Sequence, residues 1–193
     1  MKILKLMFVA VISSFLMILS SNALEKRIGV AAGYTNVEGT GSETLKDSSK
    51  KASKTVDDST LIPSIFAEIA SDSGFGLGVE YVHGTASIGT GSRADDDAET
   101  TAGNKASAEI DGLTSVYVIK TFDNGMFLKA GMTQTDVITK ETLGTGSTYG
   151  NKSVDGTLIG LGMHKVRDNG TFFRASAEYT DYDSFKLTSG VAD

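Results

Sequence analysis

Three short turns of similar composition recur along the chain, and each leads into an alternating segment. They are Asp72-Ser73-Gly74-Phe75, Asp123-Asn124-Gly125-Met126 and Arg167-Asp168-Asn169-Gly170. Glycine closes such turns in the left-handed region at no steric cost, because it has no Cβ atom. The recurrence predicts antiparallel hairpins closed at Gly74, Gly125 and Gly170, and therefore an all-β fold.

The segments between these turns alternate in polarity with a period of two residues, which indicates strands. Before the third turn, Ile159, Leu161 and Met163 share one face, while Gly160 and His164 lie on the other. Seven strands are predicted, over residues 26–37, 60–70, 75–88, 108–120, 126–137, 154–166 and 171–183. Each is about ten residues or more, which is enough to cross a bilayer at a tilt.

The connections are of two kinds that alternate strictly. The three tight turns alternate with three long segments rich in Gly, Ser, Thr, Asp and Lys, at residues 38–59, 89–107 and 138–153. In an up-and-down meander this order puts all long loops at one end, as in outer-membrane barrels. We therefore expect the tight turns to face the periplasm and the long loops to lie outside the cell.

One face of the strands carries charges with glycines beside them. Interior strand glycine is costly, so its presence here indicates the crowded lumen of a narrow barrel, where charged side chains must pair. Glu68 is assigned inward although Phe66 shares its parity. The predicted lumen charge network comprises Glu68, Glu80, Lys120, Lys129, His164, Arg174 and Glu178.

The opposite face is apolar and is predicted to contact lipid, with Tyr and Phe near the strand ends as in an aromatic girdle. Its residues are Ile28, Val30, Tyr34, Phe75, Leu77, Val79, Tyr81, Leu128, Met132, Leu161, Met163, Phe173 and Tyr179.

Residues 1–23 have the form of a cleaved secretory signal peptide. Lys2 and Lys5 provide the positive start, residues 6–19 are almost wholly apolar, and Ser21-Asn22-Ala23 offers small residues for cleavage. A retained transmembrane anchor is the less favoured interpretation, because the cleavage site follows the apolar run immediately. The remaining residues, 24–193, are predicted to form one barrel domain in the outer membrane.

Composition excludes several classes of protein. The chain has no cysteine, which excludes a disulfide framework, a thiolate metal site and a lipoprotein anchor. Its formal net charge is −6 and it has no basic cluster, which argues against a nucleic-acid partner.

Few residues offer candidate chemistry. His83 and His164 lie near opposite strand ends and do not form a shared metal site; His164 is interpreted as a structural partner in the lumen rather than a proton-handling group. Neither a serine elbow, a phosphate-binding glycine loop nor a zinc-binding helix occurs. The sequence therefore predicts no enzyme, no metal and no cofactor.

Two loop segments are candidate ion or lipopolysaccharide sites. The acidic run Asp95-Asp96-Asp97-Ala98-Glu99 lacks the spacing and the mid-loop glycine of a calcium loop, so a solvated loop is favoured. Lysines 46, 50, 51 and 54 are interleaved with aspartates, which favours a neutral loop over one that binds lipopolysaccharide.

The signal peptide, the amphipathic strands, the Asp-Asn-Gly turns and the long loops together resemble the small eight-stranded outer-membrane barrels. This group includes the transmembrane domain of outer-membrane protein A and the opacity-type surface proteins. The resemblance implies a monomeric barrel placed by the barrel insertion machinery among outer-membrane lipid and lipopolysaccharide. Such proteins end on a strand with a terminal aromatic residue, whereas this sequence ends on Ala192-Asp193. An eighth strand is therefore expected to be missing from a truncated C-terminus.

Lumen charges of alternating sign would pair and fill so narrow a barrel. The sequence therefore favours a structural or surface-interaction role carried by the long extracellular loops, which would contact an extracellular ligand or surface. Two alternatives remain open: a narrow channel for ions or small solutes, and a soluble periplasmic barrel that binds an apolar ligand with its faces reversed.

Overall fold

A computed structural model of the chain describes residues 24–44, 51–93, 104–142 and 148–187. Each strand pairs antiparallel with the next, in the order β1 to β7, and the sheet curls into a half-barrel. This confirms the predicted all-β, up-and-down architecture. The strands are β1 (Leu24–Thr44), β2 (Lys51–Ser71), β3 (Phe75–Arg93), β4 (Asn104–Thr121), β5 (Met126–Thr142), β6 (Lys152–Val166) and β7 (Phe172–Tyr182).

Several sequence predictions fall outside the described residues. They are the signal peptide at 1–23, the acidic run at 95–99, Lys46, Lys50 and the C-terminal residues Ala192 and Asp193. Within the described part of the chain, no helix has the length and apolar character needed to cross a membrane.

The three predicted turns close as expected. Gly74, Gly125 and Gly170 all adopt positive φ angles, between 81° and 83°. Each donates its N–H to the residue three positions earlier, at 2.8 to 2.9 Å. The first two turns also accept a hydrogen bond from the next hairpin: Thr121 N–H donates to the Gly74 carbonyl, and His164 N–H to the Gly125 carbonyl. The turn end of the sheet is thus a hydrogen-bonded rim.

Strands β1 to β6 are longer than predicted, and this corrects the sequence-based loop boundaries, whereas β7 is slightly shorter than predicted. Residues 38–44 and 51–59, expected in the first long loop, belong to β1 and β2. Residues 89–93 and 104–107 likewise extend β3 and β4, and 138–142 extend β5. Backbone groups form the hydrogen-bonded ladder whatever the side chains are. A strand with no apolar face can therefore form without the alternation of polar and apolar residues by which strands are predicted.

Both faces of the curled sheet carry apolar side chains, but those of the concave face are buried and those of the convex face are exposed. The concave face holds a buried cluster of Tyr117, Ile119 and Phe127, each at most 1% exposed. The convex face exposes large apolar side chains, and Ile28 and Val30 are each 82% exposed. Charged side chains, among them Glu68 and Lys129, are buried on the concave side.

Candidate functional site: a charge network on the concave face

Glu68 is the centre of the turn-end half of the concave face. It lies on β2 and is only 3% exposed. Arg174 of β7 donates from Nη1 to Oε1 at 2.7 Å and from Nη2 to Oε2 at 2.8 Å, and the Tyr117 hydroxyl donates to Oε1 at 2.8 Å. Such a bidentate, charge-assisted pair is among the stronger polar contacts in proteins. Because it joins β2 to β7, it ties the two sides of the curled sheet across its concave space.

The Arg174 guanidinium lies within a cage of aromatic rings. Its Cζ is 4.7 Å from the Phe66 ring centroid, 4.9 Å from that of Phe127 and 5.8 Å from that of Phe172. Phe66 and Phe172 also meet edge to face at 5.9 Å, again between β2 and β7. Cation–π attraction and ring packing therefore support the same link as the ion pair. Phe66 and Glu68 both face inward, as their shared parity requires.

Lys129 is the second centre, one level further from the turns. Its Nζ donates to Glu80 Oε2 at 2.6 Å and to Glu178 Oε2 at 3.0 Å, so it joins β5 to both β3 and β7. The same ammonium lies 4.1 Å from the Tyr117 ring centroid, and the Lys129 residue is only 4% exposed. The Ser64 hydroxyl donates to the other oxygen of Glu80 at 2.7 Å. The Lys129 ammonium therefore has its partners, two carboxylates and one aromatic ring, on the concave side.

The concave charge network, as we define it, comprises these two centres: Glu68, Glu80, Lys129, Arg174 and Glu178, with Ser64 and Tyr117. Two strands that are not neighbours, β2 and β7, thereby become coupled through side chains alone. Buried ion pairs need such additional hydrogen bonds to offset their desolvation. The arrangement occupies the concave side and ties together five strands, β2, β3, β4, β5 and β7.

Glycines on this face make room for aromatic rings rather than for the charged side chains that the sequence interpretation assumed. A Cβ atom on Gly78 would overlap the Tyr117 ring, and one on Gly162 would overlap the Phe127 ring. A Cβ atom on Gly29 would overlap the Phe66 ring in the same way. A Cβ atom on Gly160, by contrast, would lie 3.0 Å from Cγ of the charged Glu178 side chain.

Lys120 is not part of the network, and this corrects its sequence assignment. Tyr117 and Ile119 of β4 face inward, so Lys120 faces the convex side, where its Nζ donates to the Ser73 carbonyl. The ammonium lies 4.3 Å from the Phe75 ring centroid. The alternation along β4 assigns Lys120 to the convex face. The concave face holds large apolar side chains as well as charged ones, so a charge alone does not indicate that a residue lies there.

His164 faces inward directly across from Arg174 in the β6–β7 ladder, with its ring 6.4 Å from that of Phe127. Its Nδ1 is buried and has no hydrogen-bond partner among the described residues. His83 lies on the convex side, 6.2 Å from the Tyr81 ring, so the two histidines are on opposite faces. No group of His, Cys, Asp and Glu in the described residues could hold a metal ion.

Sequence reasoning missed Arg27, Ser64 and Tyr117. Arg27 is 9% exposed, pairs with Glu25 at 2.6 Å and lies 3.9 Å from Glu68. Its inward parity, shared with Gly29, was a signal that could have found it. The residues predicted to face lipid all lie on the convex side; most are exposed, while Phe75, Leu77 and Met132 are half-buried. Leu61, Ile65, Val116 and Ile159 extend this set.

Comparison of the chain with protein-family models, with curated proteins and with solved structures finds no match. The function must therefore be argued from the geometry alone.

Proposed function

We propose that the chain is an integral outer-membrane β-barrel protein with a structural or surface-interaction role. The observation that carries this proposal is the exposed apolar surface of the convex face, opposite a concave face that buries charged side chains. Buried ion pairs occupy the concave side, while Ile28, Val30, Tyr34 and Tyr179 on the convex side are 65 to 82% exposed. Exposed apolar surface of this extent marks a contact with lipid or with another protein.

The outward apolar positions form a band with polar positions beyond it. Along β5, Met126, Leu128, Ala130 and Met132 point outward, followed by Gln134 and Asp136 on the same face. This succession matches the apolar band of a membrane barrel, about 25 Å tall, with polar residues beyond its edge.

The long strands place much of the chain beyond this band. β1 and β2 each have 21 residues, whereas a tilted strand crosses a bilayer with about 9–11. The remaining residues would project from the membrane at the end opposite the tight turns, together with the segments that join the hairpins. We place the surface-interaction role in this projecting part.

The concave charge network argues against an open channel, the second function that the sequence leaves open. Lys129 and Arg174 each bridge strands across the concave space and are held by carboxylates at 2.6 to 3.0 Å. An eight-stranded barrel interior is only just wide enough for its own side chains. We therefore expect no discrete conductance steps from the full-length protein in a planar bilayer; regular steps would favour the channel.

Cell fractionation tests the membrane proposal. We expect the full-length protein to sediment with outer membranes, to resist extraction by urea, and to be released by detergent as a species whose electrophoretic mobility changes on boiling. Release with the periplasmic fraction in the absence of detergent would overturn the proposal and would favour the soluble alternative.

A further inference from the structure

The sheet divides between β2 and β3 part of the way along these strands. Their ladder runs from Ala70 opposite Gly76 to Ser64 opposite Val82, and the described residues pair no further. The β1–β2 and β3–β4 ladders continue well beyond this level, to Thr44 and to Arg93. The hydrogen-bonded ladder between the two hairpins therefore ends at this level, although Ile88 of β3 still lies against Gly39 of β1 further along.

The sequence explains where the ladder stops. Pro63 would be the next residue of β2 to pair, opposite His83, and proline has no N–H to donate. It is the one proline in the chain. His83 and Gly84 form a bulge against β4, with Gly84 at a φ of 122°. Both strands are thus prevented from pairing at the same level.

A groove of about 330 Å³ lies at this division, lined by outward-facing residues such as Val30 and Tyr81 and also by Ser64, whose side chain faces the concave side. Its surface is almost wholly apolar, and its volume falls within the range of about 300–1,000 Å³ typical of small-molecule sites. The lining residues are Val30, Ala31, Pro63, Ser64, Ile65, Tyr81 and His83.

The groove has a polar end and an apolar end, which determines the kind of occupant it fits. His83 is exposed and lies at the end nearer the loops, followed along β3 by the polar outward position Thr85. In the other direction, Ile65 and Tyr81 are followed along their strands by the next convex positions, Ala67 and Val79, and Val79 is 50% exposed. We propose that the groove binds one acyl chain of an amphiphile, with its polar head beside the His83 imidazole. The identification of the amphiphile as a membrane lipid rests on the proposed function.

Tryptophan reporters can test occupancy, because the chain contains no tryptophan of its own. Val79→Trp places the reporter beside the groove, and Leu128→Trp is a control on the convex side of β5, 55% exposed in the native chain. Ala67→Trp, opposite Val79 in the β2–β3 ladder, is a second groove reporter should Val79→Trp not fold.

The measurement is quenching by a brominated fatty acid added to protein refolded in neutral detergent. We expect saturable quenching of the groove reporter at concentrations that leave Leu128→Trp unaffected, and a several-fold weaker apparent affinity when His83→Ala is added. Equal quenching of both reporters, or quenching that does not saturate, would overturn the groove site.

The same variants separate this inference from the membrane proposal. In vesicles of brominated phospholipid, a membrane-embedded convex face requires quenching of both Val79→Trp and Leu128→Trp. Quenching of both in vesicles without a saturable effect in detergent would overturn the groove alone. Saturable quenching in detergent with no quenching in vesicles would overturn the membrane proposal and leave an amphiphile site on a soluble protein.

Discussion

At the scale of single residues, the Glu68 carboxylate accepts three hydrogen bonds on the concave face. Arg174 and Tyr117 donate these hydrogen bonds, and the same carboxylate lies 3.9 Å from Arg27. Its loss would leave the largely buried Arg174 guanidinium without its counter-charge, which costs more than the loss of a surface pair does.

We therefore expect Glu68→Gln to lower the free energy of unfolding by about 3 kcal/mol or more. The measurement is urea-induced unfolding of protein refolded in detergent. Glu109→Gln is the matched control, because the Glu109–Lys140 pair has a similar length of 2.7 Å but is solvent-exposed, so its loss should cost less than about 1 kcal/mol. Equal effects of the two substitutions would contradict the central position of Glu68.

Tyr117→Phe isolates the hydrogen bond from the ring. The phenylalanine keeps the ring beside Gly78 and beneath the Lys129 ammonium but removes the donor to Glu68. A hydrogen bond to a charged group contributes about 1.5–3 kcal/mol, so the loss should fall in that range under the same urea assay. An unchanged unfolding midpoint would mean that the hydroxyl does not donate to this carboxylate.

The turn glycines offer a comparison at nearly identical backbone angles. Gly125 and Gly170 have φ angles of 83° and 81°. A Cβ atom on Gly125 would come within 2.5 Å of the His164 carbonyl oxygen, whereas nothing lies within 4 Å of one on Gly170. Gly170→Ala should therefore cost about 1–2 kcal/mol for the left-handed conformation alone. Gly125→Ala should cost clearly more; the reverse order would refute the hydrogen-bonded rim.

At the scale of strands, the question that decides between a membrane barrel and a soluble one is whether the convex side chains contact lipid or water. Leu161 of β6 is 57% exposed on the convex side, within the apolar band. Leu161→Lys would be nearly neutral if that face met water. In a membrane barrel, a lysine near the bilayer midplane costs about 2–4 kcal/mol.

We expect Leu161→Lys to lower the unfolding free energy in lipid vesicles by an amount within that range. Gln134→Lys on β5 is the control: it lies on the same face beyond the band, and its effect should be small. Equal, small effects of both substitutions in vesicles would contradict lipid contact at Leu161.

At the scale of the whole molecule, the sequence predicted those features that depend on neighbouring residues. The Asp-Asn-Gly turns close through local hydrogen bonds, and strand parity follows from alternation, so both could be predicted. The Glu68–Arg174 pair spans 106 residues and depends on how tightly the sheet curls, which no local pattern encodes.

Other features escaped prediction for a related reason. The outer parts of β1 to β5 lack an apolar face, so nothing distinguished them from loops. The β2–β3 ladder ends at Pro63 of β2, opposite a bulge at His83 and Gly84 of β3. These two features lie in separate segments of the sequence, so their meeting at one level could not be predicted. Lys120 was misassigned because its polarity was given more weight than the parity of Tyr117 and Ile119.

The most direct test of the account is single-cysteine labelling along the convex face of β5 in isolated outer membranes, which is possible because the native chain has no cysteine. Cysteines at Leu128, Ala130 and Met132 should resist a water-soluble maleimide until the membrane is dissolved, while cysteines at Gln134 and Asp136 should react at once. Rapid reaction at Leu128 and Ala130, both exposed on the convex side, would show that this face meets water and would contradict the account.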